Sequence, residues 1–237
     1  MHDGSTQSAP RVREFFARIA GRYDLTNRIL SAGCDILWRK RLARMVSGWS
    51  PSFVLDLATG SGDLALEIER ARPGCVVVGA DFSEPMLAHA RSKGARHLVV
   101  ADALHLPFPD SAFDVVTVAF GLRNMESWAG ALREMGRVLK PGAHLAIMDF
   151  SMPPPPLLWL YRPYLRHVLP VLASAVTRQR AVYEYFADSI ERFPTGSGMR
   201  RLLASNGLEC EEQISVQGGI VTIHVARRPN PVQATPM

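Results

Sequence analysis

Three aspartates stand where apolar runs give out: Asp56 in FVLDLATGSGDL, Asp81 in CVVVGAD and Asp102 in HLVVADAL. A carboxylate at the carboxyl end of a buried strand can accept hydrogen bonds from ribose hydroxyls, and Asp81, roughly 25 residues after Asp56, stands where doubly wound sheets place that acid. Asp56 runs into a turn containing Gly60, Ser61 and Gly62. The absence of Cβ atoms there lets a ligand approach the backbone closely. The turn reads GSGDLA and lacks the third glycine of GxGxxG, which disfavours a dinucleotide and its pyrophosphate. Asp102 suits the amino group of an adenine, with Ala103 offering a backbone N–H. A single loop aspartate is more often a helix N-cap, but three at successive strand ends point to a nucleoside-bearing ligand.

A second group lies in FGLRN, residues 120–124. Arg123 carries a permanent charge on a planar fork and Asn124 an amide, so the pair can hold an oxyanion as it develops. An isolated loop arginine would more often pair a surface acid. Tyr23, in the N-terminal segment, adds a phenolic hydroxyl that a core aromatic would also carry. The seven histidines show no HxxxH or HxH spacing, and Cys34, Cys75 and Cys210 form no CxxC pair. Neither a metal site nor a disulfide framework is expected.

These residues need a scaffold, and the apolar periodicity supplies one. Residues 1–10 and 228–237 are Pro-, Ser- and Gln-rich ends expected to be disordered, leaving one domain over 11–227. Phe15, Phe16 and Ile19 fall at helical spacing, and ILWRKRLARMV (36–46) repeats the pattern with a basic opposite face, giving a helical cap over 11–50. Short Val-, Ile- and Leu-rich runs then alternate with amphipathic stretches, the pattern of parallel strands buried on both faces. ECEEQISVQ and GIVTIHVAR, a Gly-Gly turn apart, predict a closing antiparallel hairpin. The expected fold is α/β and Rossmann-like: a mostly parallel seven-stranded sheet with an antiparallel C-terminal hairpin and helices on both faces. Residues 151–195 form an irregular insert rich in Pro, Leu, Trp, Tyr and Arg.

The 237 residues carry a formal charge of +5 and a pI near 9.4. Without basic stripes this disfavours a dedicated nucleic-acid binder, while favouring anionic surfaces. The N-terminus lacks the apolar stretch of a signal peptide, and no apolar run reaches the ~20 residues of a membrane span. A cytoplasmic protein is expected.

Over residues 50–150 the chain resembles class I S-adenosylmethionine-dependent methyltransferases, the likeness carried by VLDLATGSGDL, LPFPDSAFDVV and REMGRVLKPGAHL. That resemblance implies S-adenosyl-L-methionine as cofactor, bound by Asp56, Gly60, Ser61, Gly62, Asp81, Asp102 and Ala103. FGLRN narrows the family. Together with Phe16, Ile19, Ala20, Tyr23, Asp24, Asn27, Ser31, Gly33, Trp38 and Arg39, and with Tyr183, Tyr185, Ser189, Ile190, Phe193 and Pro194, it is similar to the ubiquinone/menaquinone biosynthesis C-methyltransferases over residues 11–227. The chain departs from that pattern at Ala119, in LPVLASAVTRQRAVYEYF and after His224.

The family resemblance implies methyl transfer to a ring carbon of a prenylated quinol, demethylmenaquinol first, with a benzoquinol left open. It implies Arg123, Asn124 and Tyr23 as catalytic residues, Arg123 stabilising a phenolate and a water, Asp24 or Asp149 taking the proton. His224 matches a family histidine, but on an edge strand it reads as structural. The insert then becomes a lid over the prenyl tail or an amphipathic element lying on the inner face of the membrane; a plain core helix or a homodimer interface is equally compatible. Two other readings stay open: a methyltransferase of the same fold acting on a phenol, lipid or polyketide, and a non-catalytic cofactor-binding scaffold in a quinone-biosynthesis complex.

Overall fold

Val54 and Leu55 are neighbours on one short strand, yet each is fully buried, on opposite faces. Only a sheet covered on both sides allows that, and the computed structural model, which describes residues 31, 33–169 and 180–230 (180–185 by backbone alone), has such a sheet. Seven strands lie in the order β3-β2-β1-β4-β5-β7-β6. They are β1 (Phe53–Leu57), β2 (Val76–Asp81), β3 (His97–Val100), β4 (Phe113–Ala119), β5 (Leu139–Phe150), β6 (Glu209–Val216) and β7 (Val221–Arg227). The first five pair in parallel and the last two antiparallel, with β7 inserted between β5 and the outermost β6. The expected fold class is the one observed, hairpin included.

Helices α1 (Cys34–Gly48) and α2 (Asp63–Ala71) cover one face, where Trp38, Leu42, Val46, Leu64 and Ile68 pack on Val54, Val115, Ala146 and Met148. On the other face, α4 (Trp128–Val138) and α7 (Ser197–Ala204) bury Leu132, Met135, Met199 and Leu203 against Leu55, Val116, Leu145 and Ile147. Helix α3 (Glu84–Ser92) joins β2 to β3. Strand β5 begins at Leu139, where Phe113 pairs with it ahead of a register shift.

The insert folds in pieces. Helix α5 (Leu157–Pro163) continues into a π turn (Tyr164–Val168), and α6 (Arg180–Arg192) returns toward the sheet. Tyr161, Leu165 and Leu169 face inward, where they pack with Ala187, Ile190, Phe150 and Phe186. No helix among the described residues is long and apolar enough to cross a membrane. The predicted first cap helix, with Tyr23 and Asp24, lies outside the described residues, as do the expected disordered residues 1–10 and most of the expected tail.

Candidate functional site

A cleft with about 940 Å³ of empty space, part of it continuous with solvent, opens at the carboxyl ends of β1, β2 and β4 and beside the loop after β3. Open α/β sheets bind ligands at this edge because the strand order reverses there and the connecting loops diverge. Leu57, Ala58 and Gly60 line it from the first strand; Asp81, Phe82 and Met86 from the second; Asp102, Ala103 and Leu104 from the third; and Ala119 to Gly121 with Asn124 to Glu126 from the fourth.

The walls suit a nucleoside. Asp81 is buried, and its carboxylate accepts hydrogen bonds from the backbone N–H groups of Gly60 (2.9 Å) and Ser83 (2.9 Å). Burial pushes its pKa up, against those N–H groups, so a ligand hydroxyl meets an acid that is already oriented. Asp102 is more exposed and is held by the N–H of Leu104 at 2.9 Å. Phe82, Met86 and Leu104 add apolar surface for a planar base. Among the described residues, no cluster of histidine, cysteine and carboxylate side chains is placed to hold a metal ion.

Close backbone approach shapes the floor. Ala58 (φ 54°) and Phe120 (φ 60°) both hold left-handed conformations that L-residues rarely adopt, at the ends of the adjacent strands β1 and β4. Gly121 is required between them, since a Cβ on it would stand 2.6 Å from the Cβ of Ala58.

Not every residue singled out in the sequence reaches the cleft. Gly60, Asp81, Asp102, Ala103 and Asn124 line it; Asp56, Ser61, Gly62 and Arg123 do not. Asp56 is buried beneath the glycine turn, where it accepts hydrogen bonds from Thr59 Oγ1 (2.6 Å) and Thr117 Oγ1 (2.8 Å). Burial pushes its pKa up to about 6, although the two hydroxyls and the charge of Arg39 oppose the shift. Asp56 therefore braces the turn from below. Gly62 (φ 78°) lets α2 approach α3, since a Cβ there would lie 3.0 Å from that of Ala90. Ser61 is buried, and Lys93, just after α3, reaches both its hydroxyl (3.3 Å) and the carboxylate of Asp63.

Arg123 turns behind the cleft. Its Nη1 donates to Asp149 Oδ1 (2.6 Å) and to the carbonyl of Phe120 (2.7 Å), and its guanidinium lies over the rings of Phe150 (5.3 Å) and Phe186 (5.1 Å). Its Nε is buried and has no hydrogen-bond partner among the described residues. Asp149 is fully buried, and desolvation raises its pKa against the opposing charge of Arg123. With that carboxylate already bonded to Arg123 and to the N–H of Phe150, its geometry is that of a counter-ion. His224 is buried on β7, its Nδ1 has no partner among the described residues, and desolvation brings its pKa down to about 4. It stays neutral inside the sheet. The sequence did not single out Phe82, Met86 and Leu104, although each follows a strand-end acid by one to five positions.

The chain is similar to known proteins over most of its length. The model of the ubiE/COQ5 methyltransferase family matches residues 4–228. The chain is 46% identical over 220 residues to the demethylmenaquinone methyltransferase of Thermus thermophilus, covering 90% of this chain and 100% of that one. It is 40% identical over 232 residues to the ubiquinone/menaquinone biosynthesis C-methyltransferase of Geobacter sulfurreducens, covering 94% and 90%. Among solved structures, a SAM-dependent methyltransferase from Aquifex aeolicus superposes with a TM-score of 0.54 at 21% identity, over 75% of this chain and 82% of that one, and shows a shared fold.

Proposed function

Because the chain belongs to the ubiE/COQ5 methyltransferase family and is an S-adenosylmethionine-dependent methyltransferase, we propose that it methylates a ring carbon of a prenylated quinol, converting demethylmenaquinol to menaquinol. The observation that carries this reading is similarity along the full length of relatives named for that substrate, with the FGLRN turn standing between the cleft and the insert.

When bound, S-adenosylmethionine supplies an electrophilic methyl group on a sulfonium. Asp81 would hold the ribose, Asp102 and the N–H of Ala103 the adenine, and Gly60 the backbone-facing side of the ligand; Asp56, Ser61 and Gly62 would act by shaping the loop. The acceptor carbon becomes nucleophilic when the adjacent hydroxyl loses its proton, and a free phenol does so near pH 10. Asn124, on the cleft wall, would orient that hydroxyl, while Arg123 would lend positive potential from behind the wall. Arginine remains protonated, so this contribution is electrostatic. Tyr23 is the third catalytic candidate, assigned on its place in the sequence. Asp149 would keep Arg123 in position, which leaves water or Asp24 to take the proton.

The inward face of the insert over 151–195, with Tyr161 and Leu165, would cover the prenyl tail. A substrate with that tail resides in lipid, so the enzyme would work in peripheral contact with a membrane. The test is transfer of labelled methyl to demethylmenaquinol, to the corresponding prenylated benzoquinol and to a small phenol, with the position of the label read by mass spectrometry. Label on a naphthoquinol ring carbon is expected. Label on oxygen, or preference for the small phenol, would overturn the reading.

A further inference from the structure

We propose that the solvent-facing ridge of α5 and the π turn after it, centred on Trp159 and Leu160, inserts into the surface of a lipid bilayer. The inference rests on the quinol reading for its purpose; the geometry behind it stands separately.

A surface helix ordinarily keeps its large apolar side chains on the inner face. This one carries them on both sides. Its inner side chains, Tyr161, Leu165 and Leu169, are buried, yet Trp159 is 71% exposed, Leu160 74% and Val168 46%. Trp159 is the most exposed of the four tryptophans, Trp38 and Trp128 being buried and Trp49 half-buried. Arg162 and Arg166 flank the ridge and share Glu191 on α6, so their guanidinium groups are held at its side. An outward tryptophan and leucine with arginines alongside is the arrangement of an element lying at the headgroup boundary, where the apolar side chains enter the acyl region and the charged heads meet phosphate.

The size and charge of the ridge favour lipid over protein. Its three apolar side chains expose on the order of 400 Å², about half of the ~800 Å² that each partner contributes to a stable protein interface. Arg162 on α5 and Arg166 on the π turn face Asp188 and Glu191 on α6, a balanced set. Attachment should therefore be mainly apolar, strengthened only modestly by anionic lipid, in contrast to the anionic preference suggested by the overall charge. The inner face of the same element packs on Phe150 and Phe186, the two rings that flank Arg123. A bilayer against the ridge would thus lie over the acceptor side of the protein.

The test uses the full chain with vesicles of zwitterionic lipid and with vesicles containing added anionic lipid. Co-sedimentation with both is expected, together with a blue shift of tryptophan emission as Trp159 leaves water. Leu160→Glu, on the outward side, should weaken vesicle binding by about tenfold or more, with an unchanged melting curve. In that variant, turnover of a short-tailed quinol dissolved in buffer should be unchanged, and turnover of a long-tailed quinol presented in vesicles should fall. Wild-type protein that ignores both kinds of vesicle, or a variant that binds them as the wild type does, would overturn the proposal. So would a homodimer in solution that Leu160→Glu splits without affecting vesicle binding. If no quinol is methylated but vesicle binding is still lost on substitution, the substrate reading fails and the docking surface stands.

Discussion

Arg123 and Asp149 form an ion pair, 2.6 Å between Nη1 and Oδ1, in a place that both side chains share with two phenylalanine rings and almost no water. A buried charge deprived of its partner typically costs about 3 to 5 kcal/mol, whereas an apolar pair of similar volume can be neutral or stabilising. That asymmetry separates structure from catalysis. Arg123→Gln should lower kcat on the order of 10-fold, as positive potential behind the cleft wall is lost, with little change in cofactor affinity because Arg123 does not line the cleft. Arg123→Met combined with Asp149→Leu should recover the melting temperature lost in Asp149→Leu alone, but not the turnover. Recovery of both in the double variant would reduce the pair to a packing device.

Asp81 performs two tasks, holding the N–H of Gly60 and facing the ligand. Asp81→Ala should therefore weaken S-adenosylmethionine binding by roughly 2 to 4 kcal/mol, through lost hydroxyl contacts and a loosened turn. Calorimetry on the folded variant measures this, and unchanged affinity would remove Asp81 from the site.

Lys93 ties the end of α3 to the turn before α2 through Ser61 and Asp63. Lys93 is not among the residues that line the cleft, so its expected effect on cofactor binding runs through the shape of that turn. Lys93→Met should raise the KM for cofactor by about 3- to 10-fold, the scale of one partly exposed charge-assisted contact, and leave kcat within about twofold. A fall in kcat at saturating cofactor would contradict this division.

Asp56 titrates in the opposite sense from a surface carboxylate. Its pKa is raised by burial to about 6 from an ordinary value of 3.8, so the folded protein holds this proton more tightly than the unfolded chain. The stability that results is fully present below about pH 4 and is lost as the pH rises through about 6, on the order of 3 kcal/mol in all. Asp56→Asn cannot titrate. The melting temperature of the wild type relative to that variant should therefore fall between pH 4 and 7, and a flat difference across that window would show that Asp56 ionises without cost.

The strands were legible because a sheet buried on both faces writes itself as short apolar runs, and the acids Asp81 and Asp102 could be read from where those runs stop. What the sequence did not disclose was direction. Asp56 has the same strand-end position as Asp81, but Thr59 and Thr117 capture its carboxylate beneath the turn, and Thr117 comes from β4, 61 residues further along. Arg123 and Asn124 are adjacent, yet a 3-10 turn over Leu122–Asn124 sends one behind the wall and leaves the other on it. Both outcomes depend on contacts between distant segments, which no local pattern encodes. The outward apolar ridge was legible as composition, and its orientation followed only once Tyr161 and Leu165 were seen to face inward.

The contact between Ala58 and Gly121 couples two positions that lie far apart in the chain and side by side in the cleft floor. Because a methyl group on residue 121 would overlap the one already on residue 58, the two sites can accommodate one methyl group between them. Gly121→Ala should be tolerated only in company with Ala58→Gly, and that exchange would also give glycine the left-handed backbone now imposed on alanine. Natural relatives are then expected to vary these positions together, so that a chain carrying alanine in the FGLRN turn carries glycine at the end of its first strand.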